Sequence, residues 1–555
     1  MKIERLVLTF FTFYHINVYA STEIELNTTK TFLIKVYEDS KITFYSSKIP
    51  LNVSFVLFEF HSKHDEFTIS KDESFQVGDY TTSSDAGILI PMKGGETVAK
   101  CYFTNKLNST FDLYSRVKYL SSHDPIPGGC NQELPLENDP NIYWRNEKLT
   151  TQLKFAFANK AVSRGTPEVS CEDAKVQQAF KYDIYHMFLR EGNYNNKHKM
   201  EIINKLNDIN SIQKYGNKLK TVYSNHLPTF YIAMLPSIGS AFTVRGTYNG
   251  EETVQFTYVP SVTYSCSFES GDKSCRYPYP LRVYIITGVL AILGLYIAFG
   301  AHTLFLLEIF ILSYLEGFLS FYIVISRYTD WSEGVQAGVI AACSLSFAIA
   351  GLLVWKIIEL PILSVILMSL LEGFLFSSLI FNVTPFGQLE FFNNSLTYGF
   401  AFAAIMLLPS LILMNFPKWL NYFTCAVVGS YMLIFPIGLV INSGFPLVVM
   451  ATLHRAAIPG YINTIVYLPV QYRDIILYCL WLLVIVLAII FNWARDRHRS
   501  DFPMTRRERR QMQKESEEYF RRLAQQEQVR NYQQNMSNNP NYPNERTHLL
   551  DVRFM

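Results

Sequence analysis

The sequence predicts a membrane all-α seven-helix bundle preceded by a lumenal or extracellular β-rich ectodomain, composed of a β-sandwich and an α+β unit. Three observations predict this fold class. The long apolar runs of the 555 residues fall almost entirely after residue 282. The first twenty residues have the pattern of a secretion signal. Segments between residues 21 and 122 are rich in β-branched and aromatic residues and are interrupted by turn formers. We call residues 21–282 the ectodomain.

The composition limits the classes of partner. Hydrophobic residues make up 49% of the chain and charged residues 17%, while the formal net charge is only +2. A near-zero charge argues against a nucleic-acid partner, because such partners are bound mainly through phosphate neutralisation. The lipid bilayer is therefore the first partner that the composition predicts.

Residues 1–20, "MKIERLVLTFFTFYHINVYA", predict a cleaved signal peptide. Lys2 and Arg5 form a positive start, a short apolar core follows, and Val18-Tyr19-Ala20 fits a cleavage site. The alternative is an uncleaved anchor. The apolar core is too short to cross about 30 Å of hydrocarbon, so cleavage is favoured.

Sequons and cysteines in the ectodomain agree with a secretory compartment. N-x-S/T sequons predict glycosylation at Asn27, Asn52 and Asn108. Cys266 and Cys275 flank a short loop and predict one disulfide, and Cys130 with Cys171 predicts a second. Cys101 is left over, either buried in a strand or reactive.

Within the ectodomain, residues 21–122 predict the β-sandwich and residues 123–282 the α+β unit. Residues 124–144 are dense in Pro, Gly and Asn and predict a loop or domain linker. Apolar residues four apart predict one amphipathic helix over 172–192 (Val176, Phe180, Ile184 and Phe188) and a second over 199–213. Residues 242–259 predict a hairpin that turns at Asn249-Gly250.

No residue pattern in the ectodomain predicts catalysis. The sequence shows no Ser-His-Asp, Cys-His or metal-ligating constellation, and the eleven histidines are scattered singly. We therefore predict a protein that is not an enzyme and that has no cofactor and no metal.

Seven apolar segments of about 20 residues predict seven membrane-spanning helices. They cover residues 283–303, 304–325, 334–355, 360–381, 396–416, 419–441 and 474–494. Seven arginines follow the last span within residues 495–510, which predicts a cytosolic tail at 495–555. Two further sequons, at Asn382 and Asn393, then fall in an outside loop and predict glycosylation.

The third span carries small residues at every fourth position: Gly334, Gly338, Ala342, Ser346 and Ala350. Such a stripe lets another helix approach closely, so it predicts helix packing.

The motif Leu-Glu-Gly-Phe-Leu occurs in the second span at Glu316 and again 56 residues later in the fourth at Glu372. The repeat predicts duplicated helical hairpins, with spans 1–2 and 3–4 as copies. Each carboxyl lies near the bilayer midplane, where an unpaired charge is costly. Three roles are open: a structural hydrogen bond across a helix interface, a path for a proton or cation, and an ion pair with His454 and Arg455 from the apolar segment between spans 6 and 7.

The tail begins basic and predicts a charged helix near the inner leaflet. It ends in "NERTHLL", where Glu545, Leu549 and Leu550 match an acidic dileucine sorting signal that clathrin adaptors bind. We predict an integral plasma-membrane protein with its N-terminus outside and its C-terminus in the cytosol; an endosomal or lysosomal location is the alternative.

The segment "DPIPGGCNQELPLENDPNIYW", followed by a mixed α+β unit and seven spans, resembles the transmembrane 7 superfamily member 3 family. The resemblance implies a glycosylated, signal-bearing seven-span protein linked to cell survival and to the damping of protein-folding stress. It supplies no catalytic residues.

A receptor coupled to G proteins is disfavoured, because the predicted cytosolic loops are only a few residues long and the motifs D-R-Y and N-P-x-x-Y are absent from the third and seventh spans. We favour a non-enzymatic membrane protein whose ectodomain binds a partner. The alternative is a proton- or cation-linked transporter or channel that uses Glu316 and Glu372.

Overall fold

The structure is a computed structural model of the chain. It describes residues 15–17, 22–28, 31–107, 109–147, 149–172, 179–190, 192–224, 228–235, 237–249, 253–266, 275, 279–300, 303–497, 502 and 506–537. All statements below concern these residues.

The described residues from 15 to 121 form a sandwich of two five-stranded sheets, which agrees with the β-sandwich predicted for residues 21–122 except that its first strand precedes residue 21. Its strands are β1 (His15–Asn17), β2 (Thr22–Glu25), β3 (Phe32–Val36), β4 (Lys41–Ser46), β5 (Val53–His61), β6 (Phe67–Ser70), β7 (Tyr80–Ser83), β8 (Asp85–Pro91), β9 (Ala99–Thr104) and β10 (Phe111–Ser121). One sheet has the order β1-β3-β10-β5-β8 and the other β2-β4-β9-β6-β7. Strand β1 lies inside the predicted signal peptide and pairs in parallel with β3. Phe44, Phe58, Phe60 and Phe103 fill the core between the sheets, fully or almost fully buried.

The described residues of the second part of the ectodomain form further sheets and two complete helices. Its elements are β11 (Ile126–Cys130), β12 (Ile142–Asn146), β13 (Thr150–Phe155), β14 (Phe157–Asn159), β15 (Phe180–Phe188), α1 (Asn196–Asn207), α2 (Ile209–Tyr215), β16 (Asn217–Tyr223), β17 (Thr229–Ala233), β18 (Ser240–Asn249), β19 (Thr253–Thr257) and β20 (Ser261–Thr263). One sheet has the order β16-β15-β18-β19, with β20 also on β18, and another has the order β12-β13-β17 followed by a strand from the membrane domain.

The helix predicted over residues 172–192 is wrong for residues 180–188. Residues 180–188 form strand β15, paired with β16 and β18, and residues 173–178 lie outside the described part of the chain. A spacing of four is also an even spacing, so Phe180 and Ile184 point to one face of a strand as readily as to one face of a helix. Tyr182 lies between them on that face and is fully buried.

The second predicted helix and the hairpin are present. The helix over 199–213 is divided into α1 and α2 at Asp208, whose side chain caps α2 by accepting from the Ser211 amide at 3.0 Å. Strands β18 and β19 form the hairpin, with Asn249 opposite Thr253. Gly250, in the predicted turn, lies outside the described residues.

The Pro-, Gly- and Asn-rich segment 124–144 is a packed joint between the two parts of the ectodomain. Asp139 is buried and accepts hydrogen bonds from the Tyr143 hydroxyl at 2.8 Å and from Asn141 Nδ2 at 2.9 Å. Asn141 also accepts from the amide of Gly87 in the sandwich at 2.6 Å. Gly128 has φ +69°, and a Cβ there would overlap the Asp139 carbonyl, so the joint requires glycine at this position.

Seven helices of the described chain are long and apolar enough to cross a membrane, which agrees with the seven predicted spans. They are TM1 (Leu281–Gly300), TM2 (Phe305–Tyr328), TM3 (Glu333–Ile358), TM4 (Pro361–Val383), TM5 (Ser395–Leu413), TM6 (Pro417–Val440) and TM7 (Tyr472–Arg495). Short 3-10 turns at Pro385–Gln388 and Glu390–Asn393 connect TM4 to TM5. A tail helix, α4 (Arg506–Ser537), follows TM7, and its described side chains are exposed.

TM6 lies at the centre of the helical bundle and contacts TM1, TM4, TM5 and TM7. TM2 packs mainly against TM3, and TM4 mainly against TM5. The predicted hairpins, spans 1–2 and 3–4, are therefore not the packed units. TM1 packs against TM6 because Gly294 and Gly429 let the two backbones approach closely.

Between TM6 and TM7 the chain forms a short helix, α3 (Leu447–Ala457), a 3-10 turn (Tyr461–Asn463) and strand β21 (Thr464–Ile465). Strand β21 pairs in parallel with β17 of the ectodomain, Tyr231 opposite Thr464 and Ile232 opposite Ile465. The membrane domain thus supplies the edge strand of an ectodomain sheet.

Candidate functional site

The glycine of each LEGF motif lies against the span that follows. A Cβ on Gly317 of TM2 would lie 3.0 Å from Phe347 Cβ of TM3, and a Cβ on Gly373 of TM4 would overlap the Met406 carbonyl of TM5. The two motifs therefore create equivalent close helix contacts, TM2 with TM3 and TM4 with TM5. The glutamates turn toward different neighbours.

Glu372 lies within the contact between TM4 and TM6. Its side chain is fully buried, and its Oε2 accepts a hydrogen bond from Thr424 Oγ1 of TM6 at 2.8 Å. Its Oε1 has no hydrogen-bond partner among the described residues. This geometry corresponds to the structural alternative, a hydrogen bond across a helix interface.

A third buried carboxyl, for which the sequence predicts no role, lies on TM2. Glu308 is fully buried and accepts from the Cys425 thiol of TM6 at 3.1 Å. Its position four residues after the start of the predicted span is typical of an interfacial charge. Within the described chain, no group of three His, Cys, Asp or Glu side chains could hold a metal ion.

Glu316 lines a cavity of about 560 Å³ between TM2, TM4, TM5 and α3. Its Oε1 is buried and has no hydrogen-bond partner among the described residues. Arg327, Tyr398 and Arg455 line the same cavity. The predicted ion pair of Glu316 or Glu372 with His454 and Arg455 does not form.

The side chains of the α3 segment have other partners. Arg455 NH2 donates to the Phe392 carbonyl at 2.8 Å, and the guanidinium lies 3.8 Å from the Tyr398 ring centroid. The His454 ring lies edge-on to Tyr461, with 5.8 Å between centroids. These contacts attach α3 to TM5 and to the 3-10 turn before β21.

The small-residue stripe of TM3 faces away from the other helices. Ala342, Ser346 and Ala350 are exposed, and a Cβ on Gly334 or Gly338 would meet no atom within 4 Å. TM3 packs against TM2 through a neighbouring face instead, which carries the buried residues Ile340, Ser344 and Ala348. Within the described chain, no other helix packs against this stripe, so the predicted packing does not occur there.

The predicted disulfides are both present in the structure, Cys130–Cys171 and Cys266–Cys275. Cys101 is buried in β9, where burial raises the pKa of its thiol. Of the two alternatives, the structure therefore supports a buried, unreactive cysteine.

The predicted glycosylation sites differ in accessibility. Asn27 and Asn52 are exposed, whereas Asn108 lies outside the described residues and only the backbone of Asn393 is described. Asn382 Nδ2 donates to the carbonyls of Ser378 and Val448 at 3.0 Å and to Thr452 Oγ1 at 2.7 Å. A glycan on Asn382 would disrupt this contact between TM4 and α3, so we expect none there. The sorting residues Glu545, Leu549 and Leu550 lie outside the described residues.

A buried network of charged side chains joins the sandwich to α1. His61 donates from one ring nitrogen to Asp85 at 2.8 Å and from the other to Glu59 at 2.9 Å. Lys199 of α1 lies 2.8 Å from Asp85 and also donates to the Ser62 carbonyl at 2.8 Å. All four ionisable groups are almost completely excluded from solvent.

Each charged side chain of this network favours the ionised form of its partners. Burial disfavours the charged form of His61, but its two carboxylate partners outweigh burial and raise its pKa. Burial would raise the pKa of Asp85, yet Lys199 and His61 hold it below its ordinary value. Burial opposes ionisation of Glu59 too, but Arg116 and Lys118 hold its pKa well below the ordinary value.

Further contacts fix the ectodomain to the membrane domain around β21. Leu235 and Ile238 pack against Leu447, Val448 and Leu468. Gln471 Nε2 donates to the Leu189 carbonyl at 3.1 Å, and the rings of Phe188 and Tyr467 stack with 5.8 Å between centroids. The segment from α3 to the start of TM7 therefore contacts both the cavity and the ectodomain.

Family models match both parts of the ectodomain and the membrane domain. A model described as "TM7SF3-like, N-terminal immunoglobulin-like domain" matches residues 22–115. A model of the "TM7SF3-like, second immunoglobulin-like domain" matches residues 125–269, and one of the "TM7S3/TM198-like domain" matches residues 287–493.

Three relatives carry the name Transmembrane 7 superfamily member 3. Those from Mus musculus and Rattus norvegicus are 27% identical to this chain over 461 residues, which is 82% of this chain and 81% of theirs. The relative from Homo sapiens is 26% identical over 459 residues, 82% of this chain and 80% of its own.

Proposed function

Because the chain belongs to the transmembrane 7 superfamily member 3 family, matching that family's models in its ectodomain and in its membrane domain, we propose that it is a non-enzymatic binding protein of the membrane. In this proposal the ectodomain binds a partner, and that binding shifts the position of helix α3 in the seven-span domain. The role implied by the resemblance, cell survival through the damping of protein-folding stress, is part of the same proposal.

The pairing of β21 with β17 is the observation that carries the proposal. A parallel strand pair restricts the relative position of two segments through backbone hydrogen bonds, and this pair joins the ectodomain to the chain that follows α3. Helix α3 in turn lines the cavity with Thr452 and Arg455. A shift of β17 on partner binding would therefore move α3.

Transport through Glu316 and Glu372 is the second candidate. The unpartnered Glu316 oxygen beside a cavity favours it, whereas the burial of Glu372 in the contact of TM4 with TM6 does not. A flux assay in liposomes that compares wild type with Glu316→Gln separates the candidates, because an amide cannot release a proton. Equal background traces would remove the transport candidate.

Hydrogen exchange of the full chain in lipid nanodiscs tests the proposed coupling. Proline at Ile465 removes a backbone donor and disrupts β21, so Ile465→Pro should increase exchange in β17 and also in α3, while TM3 stays unchanged. The control is Val470→Pro, at an exposed position of the same segment outside the strand. Unchanged exchange in α3 would contradict the transmission step.

Partner binding needs its own experiment, because the coupling test does not involve a partner. A crosslinker that cannot enter cells, applied to cells that display the full chain, should link the ectodomain reproducibly to one protein. The matched chain without residues 22–122 should lose that product. Absence of any reproducible product with the intact chain would contradict partner binding.

We also propose the orientation with the ectodomain outside and the tail in the cytosol, at the plasma membrane, with clathrin adaptors binding the dileucine residues for delivery to endosomes or lysosomes. The arginines after TM7 support it. An antibody to a C-terminal tag should bind only after permeabilisation. Binding to intact cells would contradict the orientation.

The substitutions Leu549→Ala and Leu550→Ala together should raise the fraction of the protein at the cell surface, because clathrin adaptors would no longer bind the dileucine residues.

A further inference from the structure

The cavity between TM2, TM4, TM5 and α3 extends along one face of TM2. Glu316, Ser320, Ile323 and Arg327 line it at helical spacing. Arg327 is eleven positions after Glu316, a rise of about 16 Å, which is about half the thickness of the hydrocarbon core. The cavity therefore reaches from the ectodomain side of the membrane to the midplane.

Two guanidinium groups lie at the end of the cavity nearest the ectodomain. Arg327 NH1 donates to the Ala456 carbonyl of α3 at 3.0 Å, and Arg455 NH2 donates to the Phe392 carbonyl. Neither forms an ion pair with any carboxylate that the structure describes, and the buried Nε of Arg455 has no acceptor there. Two positive charges beside an apolar cavity, with only neutral acceptors, attract an anion.

Most of the remaining lining between the arginines and the midplane is apolar, although Ser320, Ser395 and Thr452 also line the cavity. Leu319, Ile323, Leu371, Phe374 and Phe402 form its walls, and the Glu316 carboxyl lies at its deep end. A ligand with one anionic group and a hydrocarbon chain fits this arrangement in one direction only. Its anion belongs at the arginine end, because the carboxyl at the other end repels it when charged and offers it no basic partner.

The cavity is open at membrane depth. Ser320 on TM2 and Leu367 on TM4 both line it and are both exposed on the surface of the bundle. A chain can therefore enter sideways from the bilayer. The cavity has a volume of about 560 Å³, which lies in the range of roughly 300–1,000 Å³ that is typical of small-ligand sites. This volume suits one acyl chain rather than two.

We propose that this cavity binds an anionic phospholipid from the leaflet on the ectodomain side, with its phosphate between Arg327 and Arg455 and one acyl chain along TM2 toward Glu316. The second acyl chain stays in the bilayer. The bound lipid would contact α3 directly, because Arg455 and Thr452 of α3 line the cavity. This inference does not depend on an ectodomain partner.

Photolabelling of the full-length protein in lipid nanodiscs tests the site. One set of nanodiscs contains phosphatidylglycerol with a photoreactive acyl chain, and the other contains phosphatidylcholine with the same chains. Labelled peptides are identified by mass spectrometry. We expect phosphatidylglycerol to label cavity peptides of TM2, TM4 and TM5 at least about fivefold more than phosphatidylcholine, on the scale of one arginine–phosphate attraction.

Matched variants separate the site from ordinary lipid contact. Arg327→Gln with Arg455→Gln should abolish the preference for phosphatidylglycerol, and the pair of Arg→Lys substitutions should retain most of it. Arg282→Gln, at an exposed arginine near the start of TM1, should leave labelling unchanged. Melting temperature and elution volume are recorded for each variant, so a loss of labelling through misfolding is recognised.

Two results would overturn the proposal. Equal labelling of the cavity by both lipids would show an apolar groove without headgroup selection. Labelling confined to the lipid-facing surface of TM3, with none in the cavity peptides, would show bulk contact only. If Arg→Gln is misfolded, Ile323→Trp, which fills the cavity and keeps both arginines, serves as the second variant and should remove the cavity labels.

Discussion

Glu316 and Glu372 occupy the same position in a repeated motif, but their carboxyls have different surroundings. The glycine after each glutamate is engaged in the same way, against the next span. Glu372 faces TM6 and accepts a hydrogen bond from Thr424, whereas Glu316 faces a cavity lined by α3. The glycine of the motif thus determines the close contact with the next span. The neighbouring helix determines whether the carboxyl accepts a hydrogen bond or lines a cavity.

A substitution series at Glu372 tests the structural role. Glu372→Gln keeps an acceptor for the Thr424 hydroxyl at nearly the same volume, so its stability should match wild type. Glu372→Leu leaves the hydroxyl without this acceptor and should lower the free energy of unfolding by about 1–3 kcal/mol. The same substitutions at Glu333, exposed at the start of TM3, are the control. Equal stability of the Gln and Leu variants would contradict a structural hydrogen bond.

At the scale of elements, the sequence predicts a structure reliably where its pattern is compatible with only one kind of element. A run of about 20 apolar residues is long enough to cross a bilayer as a helix, and in the described chain a helix of sufficient length and apolarity occupies each of the seven predicted runs. Strand β15 was missed because its spacing of four suits both a helix and a strand. Strand β21 has two residues and no pattern of its own; its pairing partner β17 decides its conformation.

The TM3 stripe shows a further limit of sequence patterns. Ile340, Ser344 and Ala348 are also four apart, so TM3 carries two parallel stripes, and the helix that packs against it selects one. The sequence of TM3 alone therefore does not predict which of the two stripes packs against another helix. The buried Glu308 was missed for a related reason, since its burial depends on TM6.

Paired glycine substitutions measure this difference between helix faces. Gly373→Ala places a methyl group against the Met406 carbonyl and should separate TM4 from TM5, with loss of the monodisperse protein. Gly338→Ala meets no atom within 4 Å and should be neutral or stabilising, because alanine favours a helix over glycine by about 0.8–1.0 kcal/mol. Size-exclusion elution and melting temperature measure both. A well-behaved Gly373→Ala variant would contradict the close contact.

At the scale of the whole molecule, the ectodomain and the membrane domain are held together by contacts between residues far apart in sequence. Glu59, Asp85 and Lys199 carry nothing locally that marks them as partners, so the charge network was not predictable from spacing. The same holds for the contacts of residues 188–238 with residues 447–471. The sequence predicts the order of the domains along the chain but not the surfaces at which the domains meet.

The charge network predicts a pH dependence for the contact between the sandwich and α1. The pKa of His61 is raised on folding, so its stabilisation is complete below about pH 6.5 and is lost as pH rises through the higher folded-state value. The pKa values of Glu59 and Asp85 are lowered, so their stabilisation is present above about pH 4 and is lost as pH falls through the folded-state values. The contact should therefore be most stable between these limits.

Hydrogen exchange of β5, β8 and α1 in the full chain, corrected for intrinsic rates, measures this profile. Protection should decrease as pH rises above about 6.5. His61→Gln should remove that decrease, because glutamine does not titrate. His123→Gln, outside the network, is the control. An unchanged profile in His61→Gln would contradict the role of the charged imidazole.

Strand β21 also determines when the ectodomain can be completed during synthesis. Thr464 is made about 230 residues after Tyr231, its partner in β17, and TM1 to TM6 lie between them. Until the ribosome has delivered those six helices to the membrane, the edge of β17 is open, and open strand edges are the surfaces that chaperones and aggregating chains bind. The sheet that contains β17 can therefore be completed only after TM1 to TM6 have been synthesised.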